Sequence, residues 1–244
     1  MLLFSKPKPR LADIIPDDYI DIHSHLLPGI DDGAKNIDDS INLISALKDY
    51  GFSQFITSPH VLPGVWNNTR QQIEEREQET LNYFNEKEIK IRLKAAAEYL
   101  MDDNFLKLFK NESLLTLKEN YVLVEMSYLN APIQLYDILF ELQVAGYKPV
   151  LAHPERYLFY HFKFEEYNKL KKAGCLFQIN LLSTVGYYGE NVAKIAVKLL
   201  ENNMIDFTGS DVHHTKHVEA FKNKLLIKNT TSLLQALNKN SLFS

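Results

Sequence analysis

His23 and His25 stand two residues apart at the end of the apolar run YIDIHSH, residues 19–25. Residues two apart in a strand point to the same side, so this spacing brings two imidazoles toward one cation, with Asp21 behind them. Asp211 and His213 repeat the spacing at the end of IDFTGSDVH, 205–213. Four further candidates lie at or near the downstream ends of similar runs: His60 in QFITSPH (54–60), Glu98 in LKAAAEY (93–99), Glu125 in VLVEM (122–126) and His153 in VLAHPER (150–156). Asp32 follows the first run within Asp31-Asp32-Gly33. That triplet also favours a turn, and one of the two aspartates is expected to serve only that. A lone histidine at a strand end is ordinarily structural or exposed. Five of them beside four carboxylates point to a metal site.

Charge gives an independent argument. Asp32, Glu98, Glu125 and Asp211 gathered at one mouth would repel one another and lose hydration, so cations must compensate them. With His23, His25, His60, His153 and His213 they make nine candidate ligands. An ion takes about three or four protein ligands, so the set suits two or three ions, particularly if a glutamate bridges. Three divalent ions and one hydroxide bring about +5 against the −4 of the carboxylates, and the balance of about +1 welcomes a phosphate. A donor set of imidazole and carboxylate without sulfur fits Mn, Fe or Zn.

The elements that must position these side chains alternate. Seven strand-like runs, completed by LFQIN (176–180), are separated by segments with helical periodicity or composition at 36–50, 69–87, 132–145, 164–173 and 190–202. Asn36 is a cap for the first helix, and Gly51, Gly146 and Gly174 are stop signals for three of them. Segment 102–118 offers short helical pieces instead of one clean element, and 221–244 reads as terminal helices. The strand runs are apolar with few charges, as in a parallel sheet covered on both faces. Ligands after nearly every strand favour a closed (β/α) barrel over an open doubly wound sheet, because all strand ends of a barrel converge on one mouth. Seven strands are countable.

With 244 residues, 45% apolar and 24% charged, the chain suits one soluble domain, 19–244, preceded by an arm, 1–18, that carries Pro7, Pro9, Pro16, Lys6, Lys8 and Arg10. A net charge of −4 gives no footprint for nucleic acid. The N-terminus fails as a secretory signal, and no uncharged apolar stretch approaches the ~18 residues of a membrane span. Cys175, the single cysteine, excludes an intrachain disulfide, and a cytoplasmic location is expected. Cys175 has Leu181 instead of arginine six residues on, so it reads as a core thiol and not a phosphatase nucleophile.

The motifs DIHSHLLPGIDDGA, SPH, AEY, EM, AHPER and SDVH come in family order and resemble the PHP (polymerase and histidinol phosphatase) superfamily across residues 19–214. Within it, the opening stretch and HPER most resemble the bacterial capsule and exopolysaccharide tyrosine phosphatases. The resemblance implies a distorted TIM-like (β/α)7 barrel of PHP type with a three-metal cluster at the C-terminal mouth, manganese being favoured. It implies one ion on His23, His25, Glu98 and Asp211, a second on Glu98, Glu125 and His153, and a third on Asp32, His60 and His213. Arg156 matches the phosphate-contacting arginine, whose planar fork suits two phosphate oxygens. The family's further arginine after DxH is absent, and Lys216 is the candidate replacement in substrate binding. The implied activity is hydrolysis of phosphotyrosine, with an exopolysaccharide autokinase tail as the expected partner. The expected chemistry is in-line attack by a hydroxide made available by the cations, while Arg156 steadies the equatorial oxygens. Alternatives are a small-molecule phosphoesterase of the histidinol-phosphate type and a non-catalytic, metal-stabilised kinase-binding protein. Trp66, Tyr99, Tyr128, Tyr157 and Tyr160 are candidate rim aromatics, His161 is expected at the surface, His214 and His217 facing solvent or behind the ligands, and loop 61–68 is the lid candidate.

Overall fold

The computed structural model describes residues 8–244. The described residues form nine strands: β1 (Tyr19–Asp21), β2 (Phe52–Thr57), β3 (His60–Val61), β4 (Arg92–Ala95), β5 (Glu98–Leu100), β6 (Tyr121–Glu125), β7 (Lys148–Ala152), β8 (Leu176–Asn180) and β9 (Phe207–Gly209). All their pairings are parallel, in a three-stranded sheet β1-β2-β4 and a six-stranded sheet β3-β5-β6-β7-β8-β9. The split into nine is local. β2 and β3 are one run interrupted at Ser58-Pro59, where proline has no N–H to give the ladder, and β4 and β5 are one run interrupted at Ala96-Ala97. Glu98 N donates to Pro59 O across the break at 3.0 Å, so the neighbours stay neighbours. At the other margin Ser24 bridges Val212, and Asp211 N donates to His23 O at 2.7 Å. Seven strand positions therefore follow one another around a distorted ring. Its two arcs meet through the continuous β2–β3 and β4–β5 runs at one margin and through the Ser24–Val212 bridge, not a full ladder, at the other.

The helices are α1 (Ile37–Lys48), α2 (Arg70–Glu86), α3 (Asp103–Asn111), α4 (Leu135–Val144), α5 (Glu165–Lys172), α6 (Glu190–Glu201), α7 (Thr215–Ala220) and α8 (Thr231–Lys239). The Asn36 side chain accepts from Asp39 N at 2.9 Å and caps α1. Gly51, Gly146 and Gly174 follow helices with φ of +98°, +90° and +81°. Segment 102–118 holds a single helix, α3, over its first part and no helix over 112–118; Asp102 caps Phe105 N, and Phe105 and Phe109 bury one face of α3. The terminal helical content begins only at Thr231.

Side-chain alternation sorts the core. Val122 and Val124 join the larger cluster between ring and helices, whereas Leu123, Val150, Ala152, Ala96 and Phe207 form a smaller cluster facing inward. Phe243 from the C-terminal turn joins the inner cluster, held by Asn240 bonded to Ile20 O and Thr208 O. Part of the expected arm lies outside the described residues. From residue 8 onward it packs: Leu11 is fully buried and Arg10 bridges Lys224. No helix among the described residues is long and apolar enough to cross a membrane.

Candidate metal centre

Continuing the inward alternation past Ala96 and Leu123 brings Glu98 and Glu125 to the upper inside of the ring. The turn after β1 adds His23 and His25, β3 adds His60, and the turns after β7 and β9 add His153 and Asp211. These last two residues have φ of +35° and +51°. Such backbone is sparsely used by residues other than glycine and recurs at functional sites.

The atoms converge. Glu98 Oε2 lies 3.1 Å from His23 Nε2, 3.5 Å from His25 Nε2 and 3.2 Å from His60 Nδ1, while Glu98 Oε1 lies 3.1 Å from His153 Nε2. Asp211 Oδ1 is 3.4 Å from both His23 Nε2 and His25 Nε2. Glu125 Oε1 is 3.0 Å from His60 Nδ1. Asp32 Oδ1 stands 3.6 Å from His60 Nε2 and 3.5 Å from His213 Nε2. Among the described residues, four groups have ligating atoms within 4.8 Å of one another: His25, Asp32, His60 and His213; His23, Glu98 and His153; His23, His25 and Asp211; and His60, Glu98 and Glu125. Together they contain all nine nominated residues and no other. The grouping differs from the expected one: Glu98 joins His23 and His153 and not the His23, His25 and Asp211 group. His25 also faces the Asp32 group, and His60, not His153, stands with Glu125.

The surrounding bonds fit cations. His23 Nδ1 meets the Gln178 amide oxygen at 2.7 Å and His25 Nδ1 meets Asp31 Oδ2 at 2.7 Å. Both acceptors require the proton on Nδ1, which leaves Nε2 with a lone pair in the neutral tautomer. The two Nε2 atoms then face each other at 3.4 Å, an arrangement that needs either protons or a metal between it and the carboxylates. In the protein alone, protons take that place. Burial would pull the His23 imidazole down, but Glu98 and Asp211 push it up to about 9. Burial opposes ionisation of Glu98 as well, yet His23 and His60 hold its carboxyl well below the usual range. For Glu125, burial and then the charge of Glu98 push the carboxyl up. Burial and the charge of Arg156 pull His153 down to about 4, so it is neutral and able to ligate.

Arg156 reaches the centre through Nη1, which donates to Asp211 Oδ2 at 2.7 Å. Lys216 does not: it is exposed in the first turn of α7, and no hydrogen bond or ion pair joins it to the cluster. Among the aromatics, Tyr99, Tyr157 and Tyr160 are core and not rim, because their rings lie against strands and helices; Tyr157 OH donates to Ala152 O and accepts from Met126 N. Tyr128 is half exposed and Trp66 partly so. His217 is buried and accepts from His213 N, His214 is exposed, and His161 is partly buried against Glu155 O. Cys175 is buried, and burial pushes its thiol up to about 12.

Three supporting residues, Gln178, Asn180 and Tyr188, belong to no motif of the sequence, and Asp31 does more than the turn expected of it. Asp31 makes the turn, accepting from Gly33 N, and also holds His25 and His60 N. Gln178 and Asn180 end β8, with Asn180 Nδ2 donating to Asp211 Oδ2 and to Tyr188 OH. The signal for this pair was two carboxamides at alternate positions of an otherwise apolar strand.

YwqE of Bacillus subtilis, a tyrosine-protein phosphatase, is 30% identical to this chain over 206 residues, covering 81% of the chain and 78% of YwqE. A crystal structure from work on YwqE and CpsB of Streptococcus pneumoniae, unique metal-dependent tyrosine phosphatases, superposes with a TM-score of 0.76 at 29% identity, covering 83% of this chain and 84% of the other. Histidinol phosphate phosphatase of Lactococcus lactis shares the fold, with a TM-score of 0.52 at 13% identity over 84% of this chain and 91% of that one. The family model for capsular polysaccharide synthesis, CpsB/CapC, matches residues 19–231, a span that contains all nine clustered side chains and Arg156, and the chain belongs to that family.

Proposed function

We propose that this protein is a metal-dependent protein-tyrosine phosphatase, with His23, His25, Asp32, His60, Glu98, Glu125, His153, Asp211 and His213 holding two or three divalent ions. The observation that carries this reading is the mutual approach of all nine ligating side chains at one mouth, with Arg156 beside them. The donor set suits Mn, Fe or Zn, and the resemblance favours manganese. When bound, such ions supply Lewis acidity and a hydroxide nucleophile near neutral pH.

The chain's own residues do the rest. Arg156 is held between the Tyr128 and Tyr188 rings, 5.0 and 4.2 Å from their centroids, with one donor on Asp211 and the remaining N–H groups free to face phosphate oxygens. Gln178 and Asp31 fix the imidazole tautomers. A phenol leaving group has a pKa of about 10 and needs less protonation on departure than an alkyl alcohol does, so no dedicated proton donor is required. Lys216 is the remaining candidate for a more distant substrate contact. The site draws on both ends of the chain, which supports treating 19–244 as one catalytic domain with 1–18 as its arm. A cytoplasmic location and an exopolysaccharide autokinase tail as substrate belong to the same reading.

The test compares hydrolysis of a phosphotyrosine peptide, an aryl phosphate and histidinol phosphate by Mn-loaded protein. Preference for the peptide is expected. Preference for histidinol phosphate would shift the assignment to a small-molecule phosphoesterase, and no turnover of any ester would leave a metal-stabilised binding protein.

A further inference from the structure

Behind the strands that carry His60 and Glu98 lies a cavity of about 200 Å³ with mostly apolar walls, including Val61, Trp66, Tyr99, Phe105 and Leu108. Its place follows from the strand register. His60 pairs with Glu98 and Val61 with Tyr99, so the residues after two candidate ligands turn to the opposite face, where Tyr99 stacks on Phe105 at 5.3 Å. The cavity and the metal centre therefore share a two-strand wall.

The opposite wall is built, not merely left over. Leu62 N donates to Trp66 O at 2.9 Å and Trp66 N to Leu62 O at 2.8 Å, closing a tight loop in which Gly64 has a φ of +83°. Asn68, which lines the cavity, donates through Nδ2 to His60 O at 2.8 Å and to Ile30 O at 3.0 Å. One side chain thus ties the Trp66 loop both to the His60 strand and to the segment leading into Asp31-Asp32. None of the wall residues is a candidate ligand or a partner of Arg156, and a bare phosphate ester has nothing to place there.

We propose that this cavity is a specificity subsite for a large apolar side chain, aromatic by preference, carried by the phosphorylated polypeptide within about three residues of its phosphotyrosine. The inference rests on the phosphatase reading above. The spacing follows because an extended chain advances about 3.3 Å per residue, and the cavity is one strand layer away from the cluster. Trp66, partly exposed, offers a ring to an aromatic guest, and the buried Tyr99 and Phe105 rings form the apolar floor beneath it. The Asn67 and Asn104 amides lie among the lining groups, where they can pair with the backbone of the entering chain. Binding energy gained away from the phosphoryl group raises kcat/KM for peptides alone.

The experiment measures kcat/KM of the Mn-loaded protein for phosphotyrosine peptides that carry Phe, Leu, Ala or Asp in turn at each of the three positions on either side, and for a chromogenic aryl phosphate. At one position Phe should exceed Asp by roughly tenfold or more, the worth of burying a large apolar side chain. Trp66→Ala should erase that preference, and so should Asn104→Trp, a change at an exposed position that fills the cavity from its edge. Both variants should keep aryl phosphate turnover and metal content within about twofold of the parent, which also shows that they fold. Indifference to every flanking residue in the parent, or a preference that survives both variants, would overturn the subsite while leaving the phosphatase intact. Loss of aryl phosphate turnover in the unmodified protein would overturn both.

Discussion

The Arg156 guanidinium stands 4.2 Å from the centroid of the Tyr188 ring, and Asn180 ties the Tyr188 hydroxyl to the same Asp211 oxygen that Arg156 binds. Arginine, tyrosine, carboxamide and carboxylate thus form one closed brace. Its effect is to set the plane of the guanidinium before any substrate arrives.

Replacing Arg156 by alanine should lower kcat for a phosphotyrosine peptide by about 10²-fold or more, the usual cost of removing a donor aimed at developing charge. Arg156→Lys should recover little of it, since a point charge has no fork and does not stack between Tyr128 and Tyr188. Steady-state kinetics at constant metal content decide the matter. Near-normal turnover by the alanine variant would remove Arg156 from the phosphate site.

Tyr188→Phe keeps the ring face and loses only the bond from Asn180 Nδ2, so KM should change little. Tyr188→Ala removes the stacking partner and should raise KM several-fold with metal content unchanged. Equal effects of the two substitutions would assign the role to the hydroxyl instead of the ring.

Removing metal should create a pH dependence that the loaded protein lacks. In the metal-free protein the His23 pKa, pulled down by burial and raised past that by Glu98 and Asp211, moves from 6.5 to about 9. The folded state therefore holds this proton more tightly than the unfolded chain does. The stability it contributes is fully present below about 6.5 and is lost as pH climbs through about 9. Bound cations replace the proton and abolish that slope. Melting temperatures across pH 6–10 with chelator and with Mn test this; parallel profiles would contradict it.

The ring was legible because its strand runs are apolar and end in chemistry, and all seven sequence runs correspond to the seven strand positions. Less legible was what depends on approach. Tyr157 reads as a rim aromatic, four residues after His153, yet the left-handed backbone at His153 turns the chain so that Tyr157 drops into the core. The β8 run reads as a strand without site residues because it carries no ionisable side chain, although Gln178 and Asn180 organise His23 and Asp211. Lys216 follows the DxH motif at the position of a substrate contact, and α7 turns it to solvent.

Close approach also makes Gly33 a sensitive position. A Cβ there would lie 2.1 Å from the His25 carbonyl oxygen and 2.5 Å from the His25 Cβ, so backbone would have to move. Gly33→Ala should cost about 1–3 kcal/mol, as overpacking does, and should displace His25. Urea unfolding of the metal-free protein gives the first quantity and metal titration reports the second. An unchanged midpoint would show that the turn relaxes freely.

Asp31 and Asp32 are adjacent, and their roles separate cleanly by geometry. Asp32 is about half exposed and points at His60 and His213, whereas Asp31 is buried, accepts from Gly33 N and places Oδ2 2.7 Å from His25 Nδ1 and 3.2 Å from His60 N. Asp31 is thus behind two candidate ligands at once. Asp31→Ala should free the His25 ring to rotate or change tautomer and weaken metal binding by about 10–100-fold, the range typical of such supporting carboxylates. Asp32→Ala should instead remove one ligand of the most exposed ion and spare those held by Glu98. Counting Mn retained after gel filtration separates the two: Asp31→Ala should lose occupancy across the His25 groups, and Asp32→Ala should lose a single ion. Identical retention by both variants would mean that Asp31 serves the turn alone.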